Sequence, residues 1–173
     1  MAAFLTQNAT MRTLLIVHHT LTGGTLQMVQ AAQQGAAGEP DVQVRLLSAQ
    51  ETGVGDLLAA TGYLFATPEN LASMAGMMKD FFDRTYYGAL GRIEGRPYAG
   101  MVCAGSDGEG AARQMARIAT GWRLRPVAEP LIVCTHAQTP EAIAAPKHIV
   151  EADRERCRAL GEALAAGLAL GIF

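Results

Sequence analysis

Hydrophobic residues along the chain fall into five short runs, and four of these runs have almost no polar residue alternating with the apolar ones. Such runs are typical of parallel strands covered on both faces, because every side chain then meets a packed layer. The pattern therefore predicts a parallel sheet. Its strands are expected at residues 13–17, 42–47, 63–66, 98–104 and 131–134.

Segments with helical spacing of apolar residues separate these runs and follow the last one. This alternation predicts a doubly wound α/β domain, in which a five-stranded parallel sheet forms the middle of three layers. Right-handed crossovers between five βα units favour the strand order 2-1-3-4-5. The helices are expected at residues 25–35, 55–60, 74–87, 109–122 and about 146–170.

The length of 173 residues suits one domain with a sizeable core. Met11 directly precedes the first predicted strand, and the residues before it show no pattern of a packed element. We therefore interpret residues 1–11 as a loose N-terminal extension and residues 12–173 as the domain.

Sheets of this type bind ligands outside the carboxyl ends of their strands, at the point where the strand order reverses. With the order 2-1-3-4-5, that point lies between the first and third strands. Three loops can reach it, because they follow the first, third and fourth strands. They comprise residues 18–25, 67–74 and 105–110.

The first of these loops combines hydroxyl residues with two glycines and leads directly into a helix. A helix N-terminus attracts anions, and threonine hydroxyls can add hydrogen bonds to phosphate oxygens, although an ordinary helix cap uses the same residues. The loop lacks Lys, Arg and the signatures GxxxxGK[ST] and GxGxxG, which disfavours nucleoside triphosphates and dinucleotides. The candidate phosphate-binding residues are Thr20, Leu21, Thr22, Gly23, Gly24 and Thr25.

The spacing Thr20-x-Thr22-Gly23-x-Thr25 after a buried strand resembles the FMN-phosphate loop of the flavodoxin superfamily. The resemblance extends from about Arg12 to Cys134. It implies a flavodoxin-like fold and one bound FMN per chain. FAD is not expected, because no adenosine site is visible in the sequence.

The second loop and the helix after it resemble two related families. The Thr-Pro start and the helix sequence MKDFFDRT are similar to the tryptophan-repressor-binding-protein-like NAD(P)H:quinone oxidoreductases, although residues 70–73 depart from that pattern. Pro68-Glu69-Asn70 is similar to the P-E-Y-N of the NADPH-dependent FMN reductases, with the tyrosine missing. In both families this loop borders the isoalloxazine ring. The resemblance therefore implies flavin contacts from Pro68, Glu69, Asn70 and Leu71.

Glu69 has two possible orientations with different consequences. A carboxylate that points at the ring would disfavour an anionic reduced flavin, so that Glu69→Gln would speed reduction. A carboxylate that points outward would leave the rate unchanged.

The third loop is almost free of bulky side chains, so its backbone can approach a planar ring. The resemblance places it beside the isoalloxazine, where a hydroxyl and backbone groups suit the carbonyl and ribityl oxygens. The same composition also fits an ordinary turn. The candidate residues are Gly105, Ser106, Asp107 and Gly108.

The resemblance implies an NAD(P)H-dependent FMN oxidoreductase that passes hydride to a quinone or another small-molecule electron acceptor, with NADH or NADPH as donor. A flavodoxin-type electron carrier and a flavin-free binding module are the alternatives. Carriers of this superfamily flank the flavin with aromatic residues and have a strongly acidic surface. Residues 67–74 and 105–110 contain no aromatic residue, and the net charge is only −2, which favours the reductase. Flavin supplies the redox chemistry itself, so no catalytic side chain is expected.

Charge, cysteine content and apolar segments indicate the protein's surroundings. No cluster of Lys and Arg suits nucleic acid, and the apolar stretch 163–173 is too short for membrane insertion. Three cysteines without a CxxC pair favour the cytoplasm. Residues 86–91 combine aromatic and small residues, and the resemblance implies a homodimer or homotetramer that uses this region.

Histidines and cysteines are expected to be structural. At least one of His18 and His19 should pack at the sheet edge, and the spacing of the histidines suggests no metal site. Cys103 and Cys134 lie in predicted strands and should be inert, whereas Cys157 is expected to be exposed on a charged helix.

Overall fold

Strands and helices alternate along residues 11–173, the part of the chain that the computed structural model describes. Residues 1–10, most of the predicted N-terminal extension, lie outside the described residues. The strands are β1 (Arg12–His18), β2 (Val42–Ser48), β3 (Gly62–Asn70), β4 (Ser73–Met74), β5 (Pro97–Ala104), β6 (Arg125–Pro126) and β7 (Leu131–Cys134). The helices are α1 (Gly24–Ala36), α2 (Val54–Ala59), α3 (Gly76–Ala89), α4 (Glu109–Gly121), α5 (Pro140–Ala144) and α6 (Glu151–Leu170).

The sheet is doubly wound and mainly parallel, but the prediction of five strands in the order 2-1-3-4-5 was too simple. Residues 11–173 form seven strands, with the order β2-β1-β3-β5-β6, while β4 pairs with β3 and β7 pairs with β5. All pairings are parallel except that of β3 with β4. The centre of the sheet therefore keeps the expected order, and the differences lie at one edge and one loop.

The edge position next to β5 is divided between two strands. β6 pairs with Pro97 and Tyr98, and β7 pairs with the stretch from Met101 to Ala104. The chain between them contains Pro130, which has no N–H to donate to the ladder. The strand predicted at residues 131–134 is β7, and the two-residue β6 is an addition at the same edge.

The loop after β3 is a hairpin. β3 continues to Asn70 and turns back through Leu71 and Ala72, so that β4 pairs antiparallel with its end. Thr67 is fully buried at the base of the hairpin, where its hydroxyl accepts a hydrogen bond from the N–H of Ala75 at 3.0 Å. Residues 67–74, predicted as a loop, are therefore mostly paired backbone.

Alternate residues of the central strands pack against two different helical layers. On one face, Tyr63 and Phe65 of β3 join the apolar sides of α2, α3 and α4. On the other face, Leu64 and Ala66 join α1 and α6. This arrangement explains why the strands lack polar alternation.

Helices α1 and α6 approach each other closely at glycines. A Cβ on Gly161 would collide with the carbonyl oxygen of Ala32, and a Cβ on Gly35 with that of Arg158. Cys157 is completely buried on this face, so the expectation that it is exposed was wrong. Glu155 and Arg156, which precede it, are exposed instead.

The last helix begins five residues later than predicted. α6 starts at Glu151 because N–H groups before it bond elsewhere: that of Lys147 donates to the carbonyl of Thr22, and that of Ile149 donates to Oε1 of Gln27. Among residues 11–173, every helix is too short or too polar to cross a membrane.

Candidate functional site

A cavity of about 520 Å³ opens at the carboxyl ends of β1, β3 and β5, where the strand order reverses. Four segments wall it: the β1–α1 loop, the β3–β4 hairpin, the β5–α4 loop and the segment from β7 to α6. The first three are the loops expected from the sequence. Of the predicted site residues, the cavity is lined by Thr20, Leu21, Thr22, Gly24, Thr25, Pro68, Glu69, Asn70, Leu71, Gly105 and Ser106.

Three predicted residues do not line the cavity. Gly23 and Gly108 are the N-cap residues of α1 and α4, and their φ angles of 85° and 89° explain why each is glycine. Asp107 lies in the turn before α4, where its side chain accepts a hydrogen bond from the N–H of Glu109 at 3.4 Å. These residues shape the loops behind the cavity.

The N-terminus of α1 forms one end of the cavity. Gly23 provides no side-chain cap, so the first N–H groups of the helix remain available. Thr25 is 1% exposed, and its buried hydroxyl oxygen has no hydrogen-bond partner among residues 11–173. A buried hydroxyl without a partner is unfavourable, which indicates that this end of the cavity suits a ligand with hydrogen-bonding oxygens.

Gly24 is the first residue of α1, and its size is dictated by its neighbours. A Cβ at this position would lie 2.6 Å from Sγ of Cys103 and 3.3 Å from Cβ of Lys147. The thiol and the lysine thus press directly against the start of the helix. Any larger residue would have to displace one of them.

The carboxylate of Glu69 is directed at α4. One oxygen accepts a hydrogen bond from the N–H of Gly108 at 2.9 Å, and the other accepts one from the N–H of Ala111 at 3.1 Å. The orientations expected from the sequence were towards the ring or outward; the structure instead bonds the carboxylate to the N-terminus of α4. The residue ties the hairpin to the next wall of the cavity.

The hairpin tip is strained and firmly held. Leu71 and Ala72 have φ angles of 51° and 61°, values that favour Asn or Gly in a two-residue turn. Gln114 fixes the adjoining strand, because its Oε1 accepts hydrogen bonds from the Ser73 hydroxyl at 2.7 Å and the Met74 N–H at 2.9 Å. The side chain of Leu71 is fully exposed at the cavity mouth.

The fourth wall was missed by sequence reasoning. It begins at Thr135, whose N–H and hydroxyl both donate to the carbonyl of Ala104, and it continues through α5 to Lys147. A local signal for α5 exists, because Thr139 caps the helix and Pro140 occupies its first position. Lining residues that the prediction omitted are Ala72, Cys103, Ala104, Thr135, Ala137, Ile143 and Lys147.

Burial favours the neutral forms of His18, Cys103 and Cys157. His18 is 9% exposed and lies with Nδ1 3.0 Å from the carbonyl oxygen of Leu47, as expected for a packed edge residue. Burial lowers the pKa of His18, although the bond to Leu47 opposes the shift. Burial raises the pKa of Cys103 to about 11 and that of Cys157 to about 12, so both thiols are protonated at neutral pH.

Two curated proteins are similar in sequence to part of the chain. A flavodoxin from Aquifex aeolicus is 31% identical over 104 residues, which are 59% of this chain and 54% of that protein. An NAD(P)H dehydrogenase (quinone) from Acidithiobacillus ferrooxidans is 30% identical over 95 residues, which are 43% of this chain and 48% of that protein. The chain thus spans about half the length of the curated relatives it matches.

Solved structures agree on the fold. A flavodoxin, WrbA-like protein from Agrobacterium tumefaciens has a TM-score of 0.71 at 18% identity, covering 92% of this chain and 98% of its own. Oxidised Flavodoxin 1 from Bacillus cereus has a TM-score of 0.74 at 15% identity, covering 90% and 99%. At such identities the likeness establishes the flavodoxin-like α/β fold alone.

A family model described as NADPH-dependent FMN reductase matches residues 49–139, which is more than half of the chain. The match includes the β3–β4 hairpin and the β5–α4 loop, whereas the β1–α1 loop and Lys147 lie outside it. The chain belongs to the NADPH-dependent FMN reductase family.

Proposed function

We propose that the protein binds FMN in this cavity and is an NAD(P)H-dependent oxidoreductase that passes hydride through FMN to a quinone or another small acceptor. The observation that carries the proposal is the open N-terminus of α1 with the buried, unpartnered hydroxyl of Thr25. A terminal phosphate would satisfy this hydroxyl and the first N–H groups of the helix at once. Thr20 and Thr22 also line this end of the cavity.

Other cavity walls suit the remainder of FMN. Pro68 and Asn70 on the hairpin, together with Gly105 and Ser106 on the β5–α4 loop, offer backbone and small polar groups to the cavity. The ties from Glu69 and Gln114 hold these two walls at a fixed separation. A planar ring therefore fits between segments that need little rearrangement, which favours affinity.

FMN, when bound, supplies the hydride and one-electron chemistry. The chain contributes position and access, because three groups near the cavity that could transfer a proton are already engaged or neutral. Glu69 serves α4, His18 faces Leu47, and the Cys103 thiol is protonated. We therefore propose no catalytic side chain.

Access to the cavity supports a reductase. The lining residues within the described part of the chain include no aromatic side chain, so no ring covers the mouth. A nicotinamide and then an acceptor could take turns at an exposed flavin face, and both NADH and NADPH are candidate donors. The exposed Leu21, Leu71 and Ile143 give the mouth an apolar rim that suits a quinone.

An electron carrier is the second candidate, because one curated relative is named a flavodoxin. The modest net charge of −2 argues against it, since carriers dock to their partners through strongly charged surfaces.

The deciding experiment is an anaerobic titration of the FMN-loaded protein with NADH and NADPH, followed at the flavin absorbance band. The reductase proposal expects bleaching by at least one nicotinamide and reoxidation by a quinone. A protein bleached by dithionite but by neither nicotinamide would be a carrier. A protein that takes up no flavin from excess FMN would contradict the binding itself.

We also propose self-association and a cytoplasmic location. Tyr87 and Leu90, near the end of α3, are 83% and 52% exposed, and Tyr86 lies beside them, so a second copy could cover an apolar surface here. Light scattering that shows a monomer at micromolar concentration would reject the dimer. The three free thiols favour a reducing compartment.

A further inference from the structure

Lys147 is attached by its backbone to the start of α1. Its N–H donates to the carbonyl of Thr22 at 2.8 Å, and its carbonyl accepts a hydrogen bond from Nε2 of Gln27 at 2.7 Å. Its Cβ lies 3.3 Å from the position that a Cβ on Gly24 would take. The residue is distant in sequence, but it belongs to the same end of the cavity as the β1–α1 loop.

The ammonium group of Lys147 is held in place by α5 and the residue after it. Nζ donates to the carbonyls of Ala142 and Ile143 at 2.8 Å and to that of Ala145 at 2.6 Å. These carbonyls lie at the C-terminal end of α5, whose partial negative charge offsets the ammonium only in part, and no ion pair among residues 11–173 includes Lys147. The half-buried side chain therefore keeps part of its positive charge available in the cavity wall.

We infer that Lys147 supplies the countercharge for the phosphate of bound FMN and makes the cavity prefer FMN to riboflavin. The inference rests on the proposed function. A phosphate monoester carries close to two negative charges at neutral pH, whereas a helix N-terminus offers only about half a positive charge. The unpartnered hydroxyl of Thr25 points independently to a ligand oxygen at this end. Lys147 provides the charge that the β1–α1 loop lacks.

No other cationic side chain of the described residues lines the cavity. The chain has one further lysine, Lys79, which lies on the exposed surface of α3 and pairs with Asp83 at 2.7 Å. Removal of the Lys79 charge changes the net charge equally but leaves the cavity untouched. Lys79→Met is therefore a matched control for Lys147→Met.

The test measures dissociation constants of FMN and riboflavin for the flavin-free protein by quenching of flavin fluorescence. Lys147→Met should weaken FMN about tenfold at low salt and less at about 0.5 M NaCl, because screening shortens the reach of the charge. Riboflavin binding should not change. Lys147→Arg should retain most of the affinity, and Lys79→Met should match the wild type.

The alternatives give distinct results. If Lys147→Met binds FMN as tightly as the wild type, the inference is wrong. If it weakens FMN and riboflavin equally, Lys147 has a structural role only, which also overturns the inference. A wild-type protein that binds neither flavin would overturn the proposed function and the inference with it.

Chemical labelling gives a second readout that needs no variant. An acetylating reagent should modify both lysines of the flavin-free protein, and FMN should protect Lys147 but not Lys79, as read by mass spectrometry of peptides. Equal labelling of Lys147 with and without saturating FMN would contradict the inference.

Discussion

Helices α1 and α4 start at the same edge of the sheet, and each follows a glycine at positive φ that offers no side-chain cap. At α4, the carboxylate of Glu69 occupies the N-terminus and bonds to two of its N–H groups. At α1, no carboxylate of the described residues takes that position, and the hydroxyl of Thr25 is left without a partner. The N-terminus of α4 is thus capped by a side chain of the protein, whereas that of α1 has no such cap among the described residues.

The difference between the two helix starts shows how the protein can favour one of two possible anion sites. Both helix starts attract negative charge to a similar degree, because that attraction comes from the backbone. Glu69 neutralises α4, so that a phosphate would find its best position at α1. For the proposed phosphate site, the lack of a capping carboxylate at α1 among the described residues therefore matters as much as the free N–H groups of that helix.

A carboxylate introduced at the start of α1 should have the largest effect, a loss of FMN affinity. Thr22→Glu would place a negative charge where the phosphate of FMN is proposed to bind, and like charges in a poorly solvated site repel strongly. We expect FMN affinity to fall by at least about a hundredfold. Thr22→Gln has a similar size and no charge, so it should lose much less. Equal affinities of the two variants for FMN, measured by fluorescence quenching, would contradict this assignment.

Removal of the Glu69 carboxylate from the start of α4 should lower the free energy of unfolding. Glu69→Ala removes both bonds to the helix start and the tie to the hairpin, so we expect the free energy of unfolding to fall by about 2 kcal/mol. Glu109 lies exposed in the first turn of the same helix, and Glu109→Ala should lower stability by only about 0.3 kcal/mol. Urea denaturation of the flavin-free proteins measures both. A similar loss for the two variants would mean that Glu69 is not a specific cap.

Thr25→Val should separate stability from binding. The substitution removes a buried hydroxyl that has no partner, so the flavin-free protein should gain up to about 1 kcal/mol of unfolding free energy. FMN should bind about tenfold more weakly, because a hydrogen bond to its phosphate is lost. Thr25→Ser keeps the hydroxyl and should bind FMN nearly as well as the wild type. A Val variant with unchanged FMN affinity would exclude the hydroxyl from the site.

The smallest effect concerns His18, at the end of β1 beside the open helix. Burial places its pKa in the folded state below the ordinary value of about 6.5. The unfolded chain therefore takes up the proton more readily, and stability that is fully present above about pH 6.5 declines as the pH falls towards the folded pKa. His18→Asn can keep a donor to Leu47 and should flatten this dependence, which involves at most about one proton. Identical pH profiles of unfolding would show that His18 is not responsible.

The features that the sequence predicted correctly are determined by residues that lie close together along the chain. The buried strands follow from unbroken apolar runs, and the segment Thr20 to Thr25 follows from hydroxyl and glycine residues at the start of a helix. Both depend on neighbours within a few residues. The sequence therefore placed the β1–α1 loop at the correct edge of the sheet.

Other parts of the site depend on contacts between distant residues. The direction of the Glu69 side chain is set by Gly108, 39 residues away, and the position of Lys147 is set by Gln27, 120 residues away. The turn at Leu71 and Ala72 lacks the Asn-Gly type of sequence that would have revealed the hairpin. These features arise from packing of the whole domain, so periodicity could not predict them.

The two helical layers also differ in when they can form during synthesis. The layer of α2, α3 and α4 is complete by residue 124, whereas α1 remains without its partner until residues 151–168 of α6 have left the ribosome. During that interval the face of α1 that later contacts α6, which includes Ala32 and Gly35, has no cover and is prone to aggregation. The wall that carries Lys147 is also synthesised after the layer of α2, α3 and α4, so the end of the cavity beside α1 is complete only once this later segment has emerged.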